Sequence, residues 1–258
     1  MLQMLCESKD KTPERGSLPE ADPPTAEIPT RASEISTVKM PHKRKELKIE
    51  GSNLWYLVGL IATDGCLSSD GRHIDITSKD HKFLDTLRRV LGLTNMVTSK
   101  YNGNKQKSYH IQIANKNFYE FLLAIGLTPK KSLTLGALKV PDKYFIDFLR
   151  GVIDGDGSIR GWIHPINKRE QWSLRIYSGS GQFINWISST SKQLLKVVGK
   201  IHNNARNTWV LKYGKMAAKE ISGRCYYINC LGLERKIKLA QECLDSYTGW
   251  NKSKTVLN

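Results

Sequence analysis

Two aspartates carry the chemistry this sequence could do. Asp64 and Asp156 each stand directly before a glycine at the end of an apolar run, LVGLIATDG over 57–65 and LRGVIDGDG over 149–157. The repeated pattern supplies two equivalent carboxylates from two helices suited to pack together. Carboxylates at the C-terminal ends of helices repel each other and the helix dipoles. A hard divalent cation relieves that repulsion, and oxygen ligands with retained waters suit magnesium. The chain carries 40 Lys and Arg against 24 Asp and Glu, a formal net charge of +16. The polyanion that such a balance points to is nucleic acid.

The helices must bring the two aspartates together. Gly59 and Thr63 are four residues apart, as are Gly151 and Gly155, so each pair lies on one helix face. Small residues there let two backbones approach closely. Leu57, Leu60 and Ile61, like Leu149, Val152 and Ile153, then point into flanking cores. Ser52 or Asn53 is expected to cap the first helix, and Gly65 and Gly157 to end the helices in the left-handed conformation.

The surrounding elements repeat in one order. After the first helix, a hairpin is expected over Cys66–Ser69 and Arg72–Thr77, with a turn at Asp70-Gly71. A helix over 79–92 follows, then a second hairpin over 96–101 and 106–114 around Asn102-Gly103, and a short helix from Asn115 to Ile125. The second copy reads as a helix over 142–154, strands over 158–164 and 171–177, a helix over 181–198, strands near 200–205 and 207–213, and C-terminal helices. Local words also recur: ITSKDHKFLDTL with IYSGSGQFINWI, and IGLTPKK with LGLERK. Several such matches in one order indicate internal duplication.

Residues 1–45 differ from the rest. They hold six of the nine prolines, and eight Lys and Arg against seven Asp and Glu. A segment with so little apolar periodicity cannot offset its ordering entropy, so a disordered tail is expected at 1–45, a first half at 46–140 and a second at 141–258. No apolar run reaches the length of a membrane span, and the first residues do not read as a signal peptide. The five cysteines lack paired zinc spacing and read as reduced thiols in a reducing compartment.

The paired motifs resemble the signature helices of LAGLIDADG homing endonucleases in their single-chain, two-motif form, over roughly residues 52–245. Both copies keep the carboxylate before the final glycine; the first departs mildly, with Ala62 and Thr63 where an acid and a smaller residue are common. The resemblance implies an α/β (α+β) fold of two pseudo-symmetric αββαββα halves, with antiparallel saddle-shaped sheets and the motif helices at the interface. It implies an intron-encoded nuclease acting as a monomer, with magnesium-dependent double-strand cleavage of a long DNA target and 3′ overhangs. Asp64 and Asp156 would be metal ligands, helped by the backbone carbonyls of Thr63 and Gly155. A lysine after the second hairpin of each half would stabilise the transition state or relay protons; Lys131 and Lys236 match it, with Lys130 and Arg235 as adjacent alternatives.

Strand alternation assigns a polar face suited to base edges in the major groove. In the first half it holds His73, Asp75, Thr77, Ser108, His110 and Gln112. In the second it holds Arg160, Trp162, His164, Ser173, Arg175 and Tyr177. Ile159, Gly161 and Ile163 form the opposite, weaker face. Lys100, Lys105, Lys107, Lys168, Arg169 and Lys212 suit phosphates. The histidines lack the spacing of a metal trio or a nucleophile triad, and the aromatics at 55, 83, 118, 145, 148, 183 and 186 fall on apolar helix faces.

Double-stranded DNA is therefore the expected partner, with no membrane. A catalytically inactive DNA-binding regulator and an RNA maturase acting on intron RNA are the alternatives on the same fold. An intein is disfavoured, since Val-Leu precedes Asn258 in place of a splice signature. The compartment stays open: an organelle and a prokaryotic cytoplasm both fit.

Overall fold

A computed structural model describes residues 49–247 except 102, 104 and 205–207. The tail expected at 1–45, Cys6, Asn102 of the expected turn, and residue 207 of the last expected strand lie outside the described residues. The first copy runs α1 (Gly51–Asp64), β1 (Gly65–Leu67), β2 (His73–Ser78), α2 (His81–Val90), β3 (Thr98–Tyr101), β4 (Lys107–Ala114) and α3 (Lys116–Ala124). A 3-10 turn at Asp142–Tyr144 leads into α4 (Phe145–Asp156), β5 (Gly157–Ile163), β6 (Glu170–Ser178), α5 (Gly181–Leu195), β7 (Lys200–Asn203), β8 (Trp209–Tyr213), α6 (Lys215–Cys225) and α7 (Glu234–Asp245). Two antiparallel four-stranded sheets result, ordered β1-β2-β4-β3 and β5-β6-β8-β7. The expected αββαββα plan is present in both copies, and the second adds one more helix.

Local chemistry sets the helix starts. Asp80, Asn115 and Ser180 each accept the backbone N–H of a phenylalanine three residues on: Phe83, Phe118 and Phe183. Each cap satisfies an otherwise orphaned donor while the phenylalanine enters the core. The start of α1 differs from expectation. Glu50 holds the cap position without a side-chain bond, so Ser52 and Asn53 fall inside the helix. Burial on several sides holds α1 instead: Trp55 through Ala62 are all buried.

Gly65 and Gly157 also depart from expectation. Their φ values are −86° and −93°, extended rather than left-handed. Glycine is required there by proximity. A Cβ on Gly65 would lie 2.6 Å from Ile61 Cα, and one on Gly157 2.5 Å from the Ile153 carbonyl oxygen. The chain folds back so tightly from helix into strand that no side chain fits.

The inward sheet faces are apolar as alternation predicts. Ile74, Ile76, Ile111 and Ile113 are buried in one sheet, and Leu174, Ile176, Leu211 and Tyr213 in the other. One core joins both sheets through α1 and α4. Ile163 is the exception: expected inward, it is 59% exposed. The Trp172 indole fills the space over Gly161, where a Cβ would meet Trp172 Cζ2 at 2.7 Å, leaving Ile163 beyond the packed edge. Of the expected core aromatics, Trp55, Phe83, Phe118, Phe145, Phe148 and Phe183 are buried, and Trp186 is half-buried against the same core.

Candidate metal centre and nucleic-acid interface

Helices α1 and α4 cross with their backbones in contact. A Cβ on Gly59 would sit 2.1 Å from the Phe148 carbonyl oxygen, and one on Gly151 2.1 Å from that of Tyr56. The two glycines thus play reciprocal parts about the pseudo-two-fold axis. Nearer the aspartates, a Cβ on Gly155 would fall 2.0 Å from Thr63 Oγ1 and 3.4 Å from the Asp64 carboxyl carbon. The Thr63 hydroxyl is turned into its own helix, donating to the carbonyls of Leu60 at 3.0 Å and Gly59 at 3.2 Å.

This crossing places Asp64 and Asp156 in one electrostatic environment. Asp64 is open to solvent on one side, while the protein around it removes water from the others. Its pKa is pushed up to about 7, first by desolvation and then by the Asp156 charge, with Lys236, Lys131 and Arg235 pulling it back. Desolvation also raises Asp156, to about 6, against the pull of Lys131 and Lys236. Both carboxylates are thus held above their ordinary range, with desolvation as the first cause for each.

Two lysines attend the pair in matching ways. Lys131 and Lys236 are 6% and 2% exposed. The Lys131 ammonium donates to the Gly65 carbonyl. The Lys236 ammonium donates to the Gly157 carbonyl and, at 2.8 Å, to that of Ile153. Each therefore grips the glycine that follows its own half's aspartate. Lys130 and Arg235, the alternatives left open by sequence, are exposed. Desolvation, and then the neighbouring Arg235, lowers Lys236 to about 8, a range in which an amine exchanges protons near neutral pH.

Among the described residues no group of three or more His, Cys, Asp or Glu is placed to hold a metal. A cation here would rest on the two carboxylates, backbone carbonyls and water. That donor set fits magnesium, which keeps several waters and takes one or two carboxylates. Thr63 and Gly155 stand against each other beside the Asp64 carboxyl group.

Sequence reasoning missed a second acid. Asp154, 1% exposed, accepts hydrogen bonds from Tyr56 Oη at 2.9 Å, Tyr226 Oη at 2.8 Å and the Leu233 N–H at 2.8 Å. Desolvation raises its pKa and the bonds oppose that. The available signal was a carboxylate within an apolar run where the first copy has Ala62. Arg150 is similarly enclosed, bonded to Asp147 and to the carbonyls of Cys225 and Leu231.

Strand register assembles the expected polar faces, with two corrections. Ser108 and Ser173 are buried, 8% and 1% exposed. Each is a short side chain among long ones: Ser108 pairs across from Lys100 and donates to its carbonyl, and Ser173 pairs across from Arg160 with Arg175 two residues on. His164 lies past the end of β5 in the turn to β6, rather than on a strand. His73 is engaged by Asp70, which its ring holds well below the usual carboxylate range. Asp75 accepts from Gln112 at 3.3 Å, and Thr77 and His110 lie directly across from each other. In the second sheet Arg175 pairs across from Ser158 and Lys212, and Lys212 from Lys200. Trp162 and Tyr177 are half-buried on the same face. Arg175 Nε and Ser173 Oγ are buried without a hydrogen-bond partner.

Residues 52–126 match a protein family described as a LAGLIDADG-like domain. That stretch, which holds the first aspartate helix and its sheet, is a LAGLIDADG-like domain. Its fold is similar to that of the homing endonuclease I-WcaI bound to its DNA recognition sequence, with a TM-score of 0.53 at 13% identity over 73% of this chain and 85% of that one. It is also similar to full-length DUF199/WhiA from Thermatoga maritima, with a TM-score of 0.50 at 14% identity over 77% of this chain. The match spans only 62% of the length of DUF199/WhiA. No curated protein matches by sequence. At these identities the likenesses describe the shared two-sheet LAGLIDADG scaffold. No helix among the described residues is long and apolar enough to cross a membrane. The four described cysteines, Cys66, Cys225, Cys230 and Cys243, form no disulfide among the described residues.

Proposed function

We propose that this LAGLIDADG protein is a site-specific DNA endonuclease making magnesium-dependent double-strand breaks in a long target. The observation that carries the reading is the pseudo-symmetric set of Asp64, Asp156, Lys131 and Lys236. An aspartate ends each of two crossing helices, and a buried lysine grips the glycine after each. Bound magnesium would supply charge neutralisation at the scissile phosphate and a lowered pKa for the attacking water. Asp64 and Asp156 would hold it, with the Thr63 and Gly155 carbonyls. Lys131 and Lys236 would place positive charge where the phosphate becomes more negative, and Lys236 is poised to carry a proton.

The substrate reading rests on the sheet faces. His73, Asp75, Thr77, His110 and Gln112 offer donors and acceptors for base edges. Arg160, Arg175 and Lys212 offer charge for phosphates. The similar fold of I-WcaI, which is bound to its DNA recognition sequence, is consistent with duplex DNA as ligand.

The test is cleavage of a randomised duplex library with magnesium, comparing wild type with Asp64→Asn and Asp156→Asn. Cutting at one long site by wild type, lost in each variant, supports the proposal. Enrichment of one sequence by binding with no cutting overturns it in favour of a DNA-binding regulator. Splicing of an intron RNA without DNA cleavage overturns it in favour of a maturase.

A further inference from the structure

The two lysines reach equivalent places by unlike routes. Lys236 lies in the first turn of α7, after a connection from α6. Polar side chains of α4 bind that connection at several points. Asp154 accepts from Tyr226 and from the Leu233 N–H. Arg150 donates to the carbonyls of Cys225 and Leu231. Tyr56 reaches across from α1 to complete the Asp154 set. The equivalent set is missing around the Lys131 turn: Ala62, Val58 and Phe148 stand at the positions that match Asp154, Arg150 and Tyr56. There, backbone bonds and apolar burial shape the Lys131 turn, including Leu135 N–H to the Lys131 carbonyl at 2.9 Å and the buried Leu127, Leu135 and Leu138.

We propose that Asp154 is a positioning residue for Lys236, holding the 226–233 connection so that the ammonium lies on Gly157, and that this control operates in one half only. The Leu233 N–H bonded by Asp154 is three residues from Lys236, and Leu233 is the residue that opens α7. Loss of the Asp154 carboxylate frees two tyrosine hydroxyls and one backbone donor in a buried site, so the start of α7 loses its anchor. Lys131 and its turn touch none of these groups in the bonds described. Breaking the Asp154 set should therefore impair one centre and spare the other.

The cleavage arm of the test rests on the nuclease reading, and a second arm does not. In the first, each strand of a cleavable duplex is labelled separately, and strand-resolved rates are compared for wild type, Lys131→Met, Lys236→Met, Asp154→Ala, Asp154→Asn and Tyr226→Phe. The expected result is that Asp154→Ala slows the strand most affected by Lys236→Met by roughly tenfold or more relative to the other, the scale on which outer-shell partners act. Asp154→Asn, which keeps an acceptor, should restore the ratio toward wild type. Equal slowing of both strands, or the bias of Lys131→Met, overturns the proposal. In the second arm, amide hydrogen exchange is followed on the full chain without DNA. Faster exchange over 226–236 with 125–135 unchanged, in Asp154→Ala or in the milder Tyr226→Phe, supports it; unchanged exchange over 226–236 overturns it. A wild type that cuts no DNA would sink the nuclease reading alone, and the exchange arm would still decide on Asp154.

Discussion

The two halves build the same centre from different materials. Each offers an aspartate at the end of a crossing helix and a buried lysine on the following glycine. The first half shapes its lysine turn with apolar residues and backbone bonds, the second with the buried carboxylate of Asp154 and guanidinium of Arg150. Their polar sheet faces differ as well. The first sheet pairs Asp75 with Gln112 and Thr77 with His110, and carries Lys100 in β3 and Lys107 in β4. The second aligns Arg160, Arg175, Lys212 and Lys200 with no acid among them. Duplication preserves what the shared axis demands, the glycines and the aspartates, and lets each half differ away from it. On the proposed function, the first face would read bases and the second would also grip phosphates.

The sharpest way to break this comparison is at the aspartates. If both centres depend on one shared pair, Asp64→Asn and Asp156→Asn should each reduce cleavage of both strands, on the order of a hundredfold or more, as loss of a preorganised charged group does. Strand-resolved rates at saturating magnesium check this; a variant that silences only one strand would mean two independent centres.

Next in size is the helix crossing. Gly59→Ala and Gly151→Ala each drive a methyl group to 2.1 Å from a carbonyl oxygen of the opposing helix. Each should destabilise the fold by about 1–3 kcal/mol or more, read as a lower midpoint in urea. Near-equal losses at the two positions would confirm that the axis is symmetric where the peripheries are not.

The contrast between faces predicts different responses to salt. Arg175→Ala and Lys212→Ala should each lower the slope of log affinity against log salt by about one. Gln112→Ala should leave that slope unchanged and relax sequence preference at one position instead. Binding titrations at several salt concentrations, on matched and altered duplexes, separate the two behaviours.

The smallest effect is on pH and stability. Asp64 and Asp156 have folded pKa values of about 7 and about 6, above their ordinary value of 3.8. A raised folded pKa means that the native state holds protons more tightly than the unfolded chain. The stability this contributes is full below the ordinary carboxylate value and is lost as pH rises through 6 to 7. Metal-free protein should therefore melt lower as pH climbs through that window, Asp64→Asn should show a shallower fall, and magnesium should offset it. Melting curves with and without the ion test the sign.

How much of this was legible in the sequence depended on whether the cause was local. The spacing of Gly59 with Thr63 and Gly151 with Gly155 announced the crossing, because helical periodicity follows from backbone geometry alone. Alternation in ITSKD-type and WSLRIY-type strands identified the inward isoleucines and leucines for the same reason. The cap of α1 was misread because burial rather than a side-chain bond starts that helix. Ser108 and Ser173 were misread as accessible, because alternation assigns a face but says nothing of the long neighbours that cover a short side chain.

By itself, then, the sequence determined the duplicated plan, the paired aspartates, the small-residue crossing and the basic surface, all products of short-range spacing and composition. Only the tertiary structure decided that Lys131 and Lys236, rather than Lys130 and Arg235, enter the site, and that Gly65 and Gly157 are required by close approach rather than by a left-handed turn. It also revealed Asp154 as the point where α1, α4 and the connection to α7 meet. The reason is physical: desolvation, buried hydrogen bonds and backbone contact join residues far apart in the chain, and no local pattern records which of them will meet.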